Sequence, residues 1–371
     1  MKYKIIIAAA VILAFSVAFI KKNHVIPGAP VTMSIDTTRN YNPDVIKVEG
    51  CPTKAGIKQT LCLIDAFKAQ LTPQQQQVVQ LPYTVSDAKK WNNLPQGMVR
   101  AELKAPGLNF GSMTTKQIQY AKALIKALAG PAANEGWDEL QQILNADEYL
   151  KANGGANSGR YGDNNINIAF LGTPATKGVF EIQYGGHHTA FANTYKDGIL
   201  VGATPSFRGI EPFEKFVWNG KDNQPLQQEQ GAFTAMLNAL DEKQLAAAKL
   251  DKVYSDILTG PTKDTAFPAT PSGIKVGTLS ASQKALVLAA ITTYAGDVAD
   301  SGPILKKYTA ELNDTYVSYS GTTSMVNRND YVRIDGPSVW IEYSCQKGAI
   351  FAGTHPHSIW RDKKTDYGGN L

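Results

Sequence analysis

Four of the five histidines fall in two pairs, His187-His188 and His355-x-His357, and imidazole is the commonest side-chain ligand for transition metals. Both pairs lie in segments that read as β-strands, where successive side chains alternate between faces. On that reading His355 and His357 share a face while His187 and His188 point oppositely, so one of the first pair can join the second. Three imidazoles is the ligand count of an open catalytic metal centre. Copper, zinc or iron held there would generate a metal-bound hydroxide for hydrolysis or coordinate oxygen species. The plainer alternative is that a histidine beside Gly185-Gly186, or beside Pro356, only hydrogen-bonds backbone in a turn.

Three further residues could support such a centre. Arg361 could clamp the carboxylate or phosphate of a small anionic substrate, and Asp366 or Glu342 could act as base or orient a ligand imidazole through its second N–H. A local ion-pair cluster around Arg361-Asp362 and Glu342 is the structural alternative. The sequence has no GxGxxG, Walker A, GxSxG, HExxH or CxxC, so the commonest nucleotide, hydrolase, metalloprotease and zinc-ribbon signatures have no support.

The elements that must position these residues follow from local patterns. Thr72…Gln75, Thr114…Gln117, Asp241…Gln244 and Ser280…Gln283 each place a cap oxygen three residues before a glutamine, which predicts four capping boxes. Their spacing is irregular, and no internal repeat is read from it. Helical patterns cover about residues 56–80, 115–129, 136–151, 231–260, 282–296 and 302–312. Residues 178–207 read as two extended segments joined at Lys196-Asp197-Gly198, and 330–360 as further strands with a turn at Gln346-Lys347-Gly348. A Pro/Gly-containing stretch, 267–277, reads as a surface loop. The fold class is therefore α+β, with helices packed on a largely antiparallel sheet in one large domain.

Residues 1–20, with Lys2 and Lys4 before an apolar run from Ile5 to Ile20, read as a signal peptide or signal anchor. An extended segment (21–50) and the α+β domain (51–371) follow, and the expected location is periplasmic or secreted, or membrane-anchored through the N-terminus alone. Formal net charge is +5, too mild to imply nucleic acid. In an exported chain Cys51 and Cys62 would close a short disulfide loop, with three buried thiols as the alternative.

At the histidine motifs the chain resembles an uncharacterised bacterial and fungal family, the domain of unknown function numbered thirty-five hundred. The shared pattern is "NNLP" (92–95), "RYGDNN" (160–165), "FLGTP" (170–174), "GGHHTA" (185–190), "TPSFRGIEP" (204–212), "YVRIDGPSVWIEYS" (331–344) and "HPHSIWRDKKTDYGG" (355–369). The resemblance implies no reaction. It implies an aromatic residue where Pro356 stands, and proline fixes φ and removes an N–H, which bears on how His355 and His357 are presented. Two function classes stay open: a metal-dependent hydrolase or oxidoreductase, and a non-catalytic metal-handling or small-ligand-binding protein.

Overall fold

In the computed structural model, which describes residues 43–95, 98–100 and 104–369, two runs of elements repeat in order. The first comprises α1 (Ile57–Lys68), α2 (Pro73–Val79), β1 (Gln80–Leu81), α3 (Val85–Ala88), β2 (Leu108–Asn109), α4 (Thr115–Leu128) and α5 (Gly136–Asn153). It continues through β3 (Asn167–Gly172), β4 (Val179–Gly186), β5 (Thr189–Lys196), β6 (Ile199–Gly202) and β7 (Ser206–Gly209). A small hairpin, β8 (Phe216–Trp218) with β9 (Lys221–Asn223), leads into the second run. That run holds α6 (Gln227–Asn238), α7 (Glu242–Ala248), β10 (Ile274–Lys275), α8 (Ala281–Ala295), α9 (Gly302–Glu311), β11 (Tyr316–Ser320), β12 (Tyr331–Asp335), β13 (Val339–Lys347) and β14 (Thr354–Asp362). The targeting segment 1–20, and 21–42 of the extended segment, lie outside the described residues. Among those described, no helix is long and apolar enough to cross a membrane.

The four capping boxes all form, and they mark the repeat that their spacing hid. Gly107–Gln117 (GLNFGSMTTKQ) and Gly273–Gln283 (GIKVGTLSASQ) each run glycine, short strand, one 3-10 turn, capping box. Both opening glycines have positive φ, 91° and 101°, and a Cβ on either would strike a strand carbonyl, Ile168 O or Val317 O. The capping glutamines pair within each half, Gln75 with Gln117 and Gln244 with Gln283. Even the edges match: β1 lies parallel to β3 with Gln80 opposite Phe170, and Lys249 makes a parallel bridge to Tyr319. The expectation of no internal repeat is therefore corrected.

One 12-stranded sheet joins the halves in the order β1-β3-β4-β5-β7-β14-β13-β12-β11-β10, with β2 also on β3 and β6 on β5. Its pairings are antiparallel apart from β1 with β3, as short hairpin connections require. The two central strands, β7 and β14, come from different halves. Helices cover one face, where Ile168, Phe170 and Ile182 pack under α1 and α4, and Val332, Ile334, Ile341 and Trp360 under α6 and α8. The opposite face is covered by two long loops, one from the first half with described residues 82–95, 98–100 and 104–106 and the other, 251–272, from the second, over a smaller apolar cluster that includes Trp91, Phe207, Ile257 and Ile359.

Two helical expectations are corrected. Residues 56–80 divide into α1 and α2, because Thr72-Pro73 caps a new helix. The pattern over 231–260 divides into α6 and α7 at the Asp241 cap and ends at Ala248: Lys249 turns extended and Leu250 N donates to Tyr319 O, so a sheet edge captures the backbone that helical periodicity would have continued. The turn at Asp197-Gly198 forms with both residues at positive φ. Cys51 and Cys62 are disulfide-bonded, and Cys345 is free and buried.

Candidate metal centre

His187 and His188 are the two turn residues of the β4–β5 hairpin, between the paired Gly186 and Thr189. This overturns the expectation that they sit on a strand and face opposite ways. His188 has φ 61°, a conformation a non-glycine residue adopts at a cost of about 1–3 kcal/mol, and it rotates both rings to one side. They stack with centroids 3.7 Å apart. On β14, His355 and His357 do share a face, and Pro356 does not disturb them. It lies opposite Cys345, whose N–H and C=O both turn to the β12 side, so no ladder bond to β13 is lost. The Pro356 carbonyl accepts from Ile210 N.

His188, His355 and His357 are buried, and one ring nitrogen of each lies within 4.8 Å of the others. His188 Nε2 and His355 Nε2 are 2.7 Å apart. Two imidazole nitrogens on one ion sit roughly 3 Å or more apart, so a metal would open this contact by a few tenths of an ångström. Each outer nitrogen that the geometry resolves has a partner. His355 Nδ1 lies 3.5 Å from Glu211 Oε2, and His357 Nδ1 meets Gln346 Nε2 and, at 3.2 Å, Asp256 Oδ1. At His355 the Glu211 carboxylate favours the tautomer that leaves Nε2 for a metal, whereas at His357 the Gln346 amide nitrogen donates where the Asp256 carboxylate accepts, so the two ask for opposite tautomers. Gly209 makes room, because a Cβ there would come within 2.8 Å of the His188 ring and 3.0 Å of the His357 ring.

Burial, followed by the neighbouring imidazoles, pushes His188 well below its ordinary range and takes His355 down to about 2. Both are neutral near pH 7, the state in which imidazole donates a lone pair. His187 stands outside the trio. Its Nδ1 is 2.5 Å from Asp147 Oδ1 on α5, and Asp147 Oδ2 accepts from Gly162 N at 2.8 Å.

All four histidines line a cavity of about 510 Å³ between the two long loops. Lys89 and Lys90 from the first loop, Lys263 from the second and Lys347 from β13 line it too, against the single carboxylate, among the described residues, of Asp256. The three residues expected to support the centre stand elsewhere. Glu342, fully buried on β13, accepts from Leu258 N, Thr259 N, Thr259 Oγ1, Tyr331 OH and Trp340 Nε1. Arg361 donates to Asp366, to Asp264 and to the Thr259 carbonyl. Asp366 also accepts from Asp362 N. Their polar atoms are engaged in fixing the second loop to the sheet, and none of the three lines the cavity.

Sequence reading missed Asp147, Asp256 and the four lysines. Asp256 lay in a stretch taken for helix, and Asp147 sits mid-helix with no local signature. The Gly162 that orients it falls in "RYGDNN", which was the one available pointer.

Fold and cluster define an α+β protein with a three-histidine cavity at the junction of two similar halves. The chain belongs to the family described as Protein of unknown function (DUF3500), whose pattern matches residues 53–369. No curated protein and no solved structure matches it.

Proposed function

We propose that the protein binds one transition-metal ion through His188, His355 and His357 and acts on a small anionic substrate in the adjoining cavity. The observation that carries this reading is the convergence of three buried imidazoles from two halves of the chain on the wall of a cavity. Burying these rings is costly unless their nitrogens gain partners, and an ion serves all three at once. Copper, zinc and iron suit an all-imidazole set. Such an ion supplies a Lewis acid with open positions.

The chain's own residues then divide the work. The lysines draw in and hold the anion, His187 backed by Asp147 accepts a proton beside the centre, and the two loops limit access of water. Arg361, Asp366 and Glu342 keep the second loop in place. Export, with residues 1–20 as its signal, accords with the Cys51–Cys62 disulfide, because such bonds persist in oxidising compartments.

The test uses protein prepared without a histidine tag, stripped and reloaded separately with copper, zinc and ferrous iron, then assayed for bound metal and melting temperature. Wild type should hold about one equivalent of at least one metal and melt higher with it. His188→Ala, His355→Ala and His357→Ala should each lose most of it, while His187→Ala keeps the metal. Identical metal responses in wild type and all four variants would remove the reading. Metal bound as expected, but without turnover of any small anion, would favour a metal-handling protein.

A further inference from the structure

Behind the same central strands, on the helical face, four carboxyl groups crowd one guanidinium. Arg208 on β7 is the neighbour in sequence of Gly209, which makes room for the histidines, but it points to the opposite face. Its Nε lies 2.7 Å from Glu139 Oε2, a second nitrogen contacts Asp297 Oδ2, and a third donates to Ser206 Oγ at 2.9 Å. Glu135 and Glu229 complete the group. With all four acids ionised and Arg208 charged, the cluster would carry three uncompensated negative charges inside the protein. Such a burden must be met by protons or by a cation.

Glu229 is enclosed by the other three acids. It lies on α6 with no solvent exposure, and neither carboxylate oxygen meets a hydrogen-bond donor from backbone or from a neutral side chain. What surrounds it are Glu139, Asp297 and Glu135, with Arg208 the one positive charge. One oxygen each from Glu135, Glu229 and Asp297 lies within 4.8 Å of the others. Oxygens on a shell of about 2.4 Å radius can be at most about 4.8 Å apart, so the three are close enough to close on an ion of calcium size with a small inward shift. A cavity of about 20 Å³, room for one water, borders Asp297 and Arg208 but none of the three glutamates.

We propose that Glu135, Glu229 and Asp297, with Glu139 beside them, form a second metal site, selective for a hard divalent cation such as calcium or manganese. All-carboxylate donors favour such ions over the softer ones that imidazole prefers. The site joins α5, α6 and the segment after α8, and so ties the two halves together behind β7 and β14. When the cation is absent, burial raises all four acids and repulsion adds to it for Glu135, Glu139 and Glu229, taking Glu139 to about 7 and Glu135 to about 9, and the cluster keeps protons instead.

The full chain, stripped with EDTA and dialysed at pH 8, is titrated with calcium and, separately, with manganese, reading bound ion by equilibrium dialysis and melting temperature by calorimetry. One equivalent of either ion should bind and raise the melting temperature. Glu229→Gln should abolish both effects. Because that buried change could also disturb folding, Glu135→Gln, at the half-buried start of α5, provides a second reading and should weaken binding at least tenfold with helix content unchanged. His355→Ala should bind calcium or manganese as wild type does, which separates this site from the histidine centre. Absence of binding by wild type up to millimolar ion, or undiminished binding by both glutamine variants, would overturn the proposal and leave a proton-sharing cluster.

Discussion

The two halves of the chain share a plan and differ at the places where chemistry collects. Each has a hairpin closed by two turn residues: His187-His188 between β4 and β5 in the first half, Pro337-Ser338 between β12 and β13 in the second. Each contributes one central strand. The second half's carries His355 and His357, whereas the first half's places Phe207 and Gly209 against them. On the penultimate strands Ala192 occupies the place that Glu342 takes in the second half, counting from the two turns. The loop over the first half is accordingly held by neutral groups, Gln183 to the Ala88 carbonyl and Trp91 to Tyr367 OH, and the loop over the second by the charged Glu342 and Arg361. Each half supplies what the other lacks. A shared frame fixes positions, and divergence within it decides which carry ligands, space or anchors.

Removing the anchor that has no counterpart should give the largest effect. Glu342→Ala leaves five donors without their acceptor, and breaking a buried, charge-assisted set of this kind costs about 3–5 kcal/mol. Denaturant unfolding should show that loss, and limited proteolysis should cut within 251–272 before it cuts elsewhere. Intact loop protection in the variant would mean the two loops are held alike.

A smaller effect is expected where the first half yields space. Gly209→Ala brings a methyl group against His188 and His357, so metal affinity should fall about tenfold while the stability of the metal-free protein changes by less than about 1.5 kcal/mol. Metal titration of the folded variant checks it, and unchanged affinity would show that the rings have slack.

The smallest effect should be the most even. Thr114→Ala and Ser280→Ala remove equivalent caps, and each should cost about 1 kcal/mol in denaturant unfolding. Costs that differ by more than about 1 kcal/mol would show that the halves no longer use the repeat in the same way.

What the sequence disclosed tracks how local the cause is. Capping boxes are settled within four residues, and all four were legible. The sheet's antiparallel character and the shared face of His355 and His357 follow from alternation along one strand. The His187-His188 turn did not, because the left-handed residue is a histidine, where glycine or asparagine would have announced the turn. The repeat was hidden for a related reason. Consecutive caps are unevenly spaced, although the gap from Thr72 to Thr114 nearly equals that from Asp241 to Ser280. The Asp256 and Asp147 contacts link residues far apart in the chain, and no local pattern specifies them.

The pairing of β7 with β14 has a consequence for the number of ligands a centre there can have. Two identical subunits meeting through one such strand pair would be related by a dyad, and every residue near it would appear twice. A pocket on that dyad could recruit imidazoles only in even sets. Covalent union of the halves lifts the restriction, because a substitution in one is no longer copied into the other. An odd set, one imidazole from a turn and two from a strand, is open to a fused chain and closed to a symmetric pair.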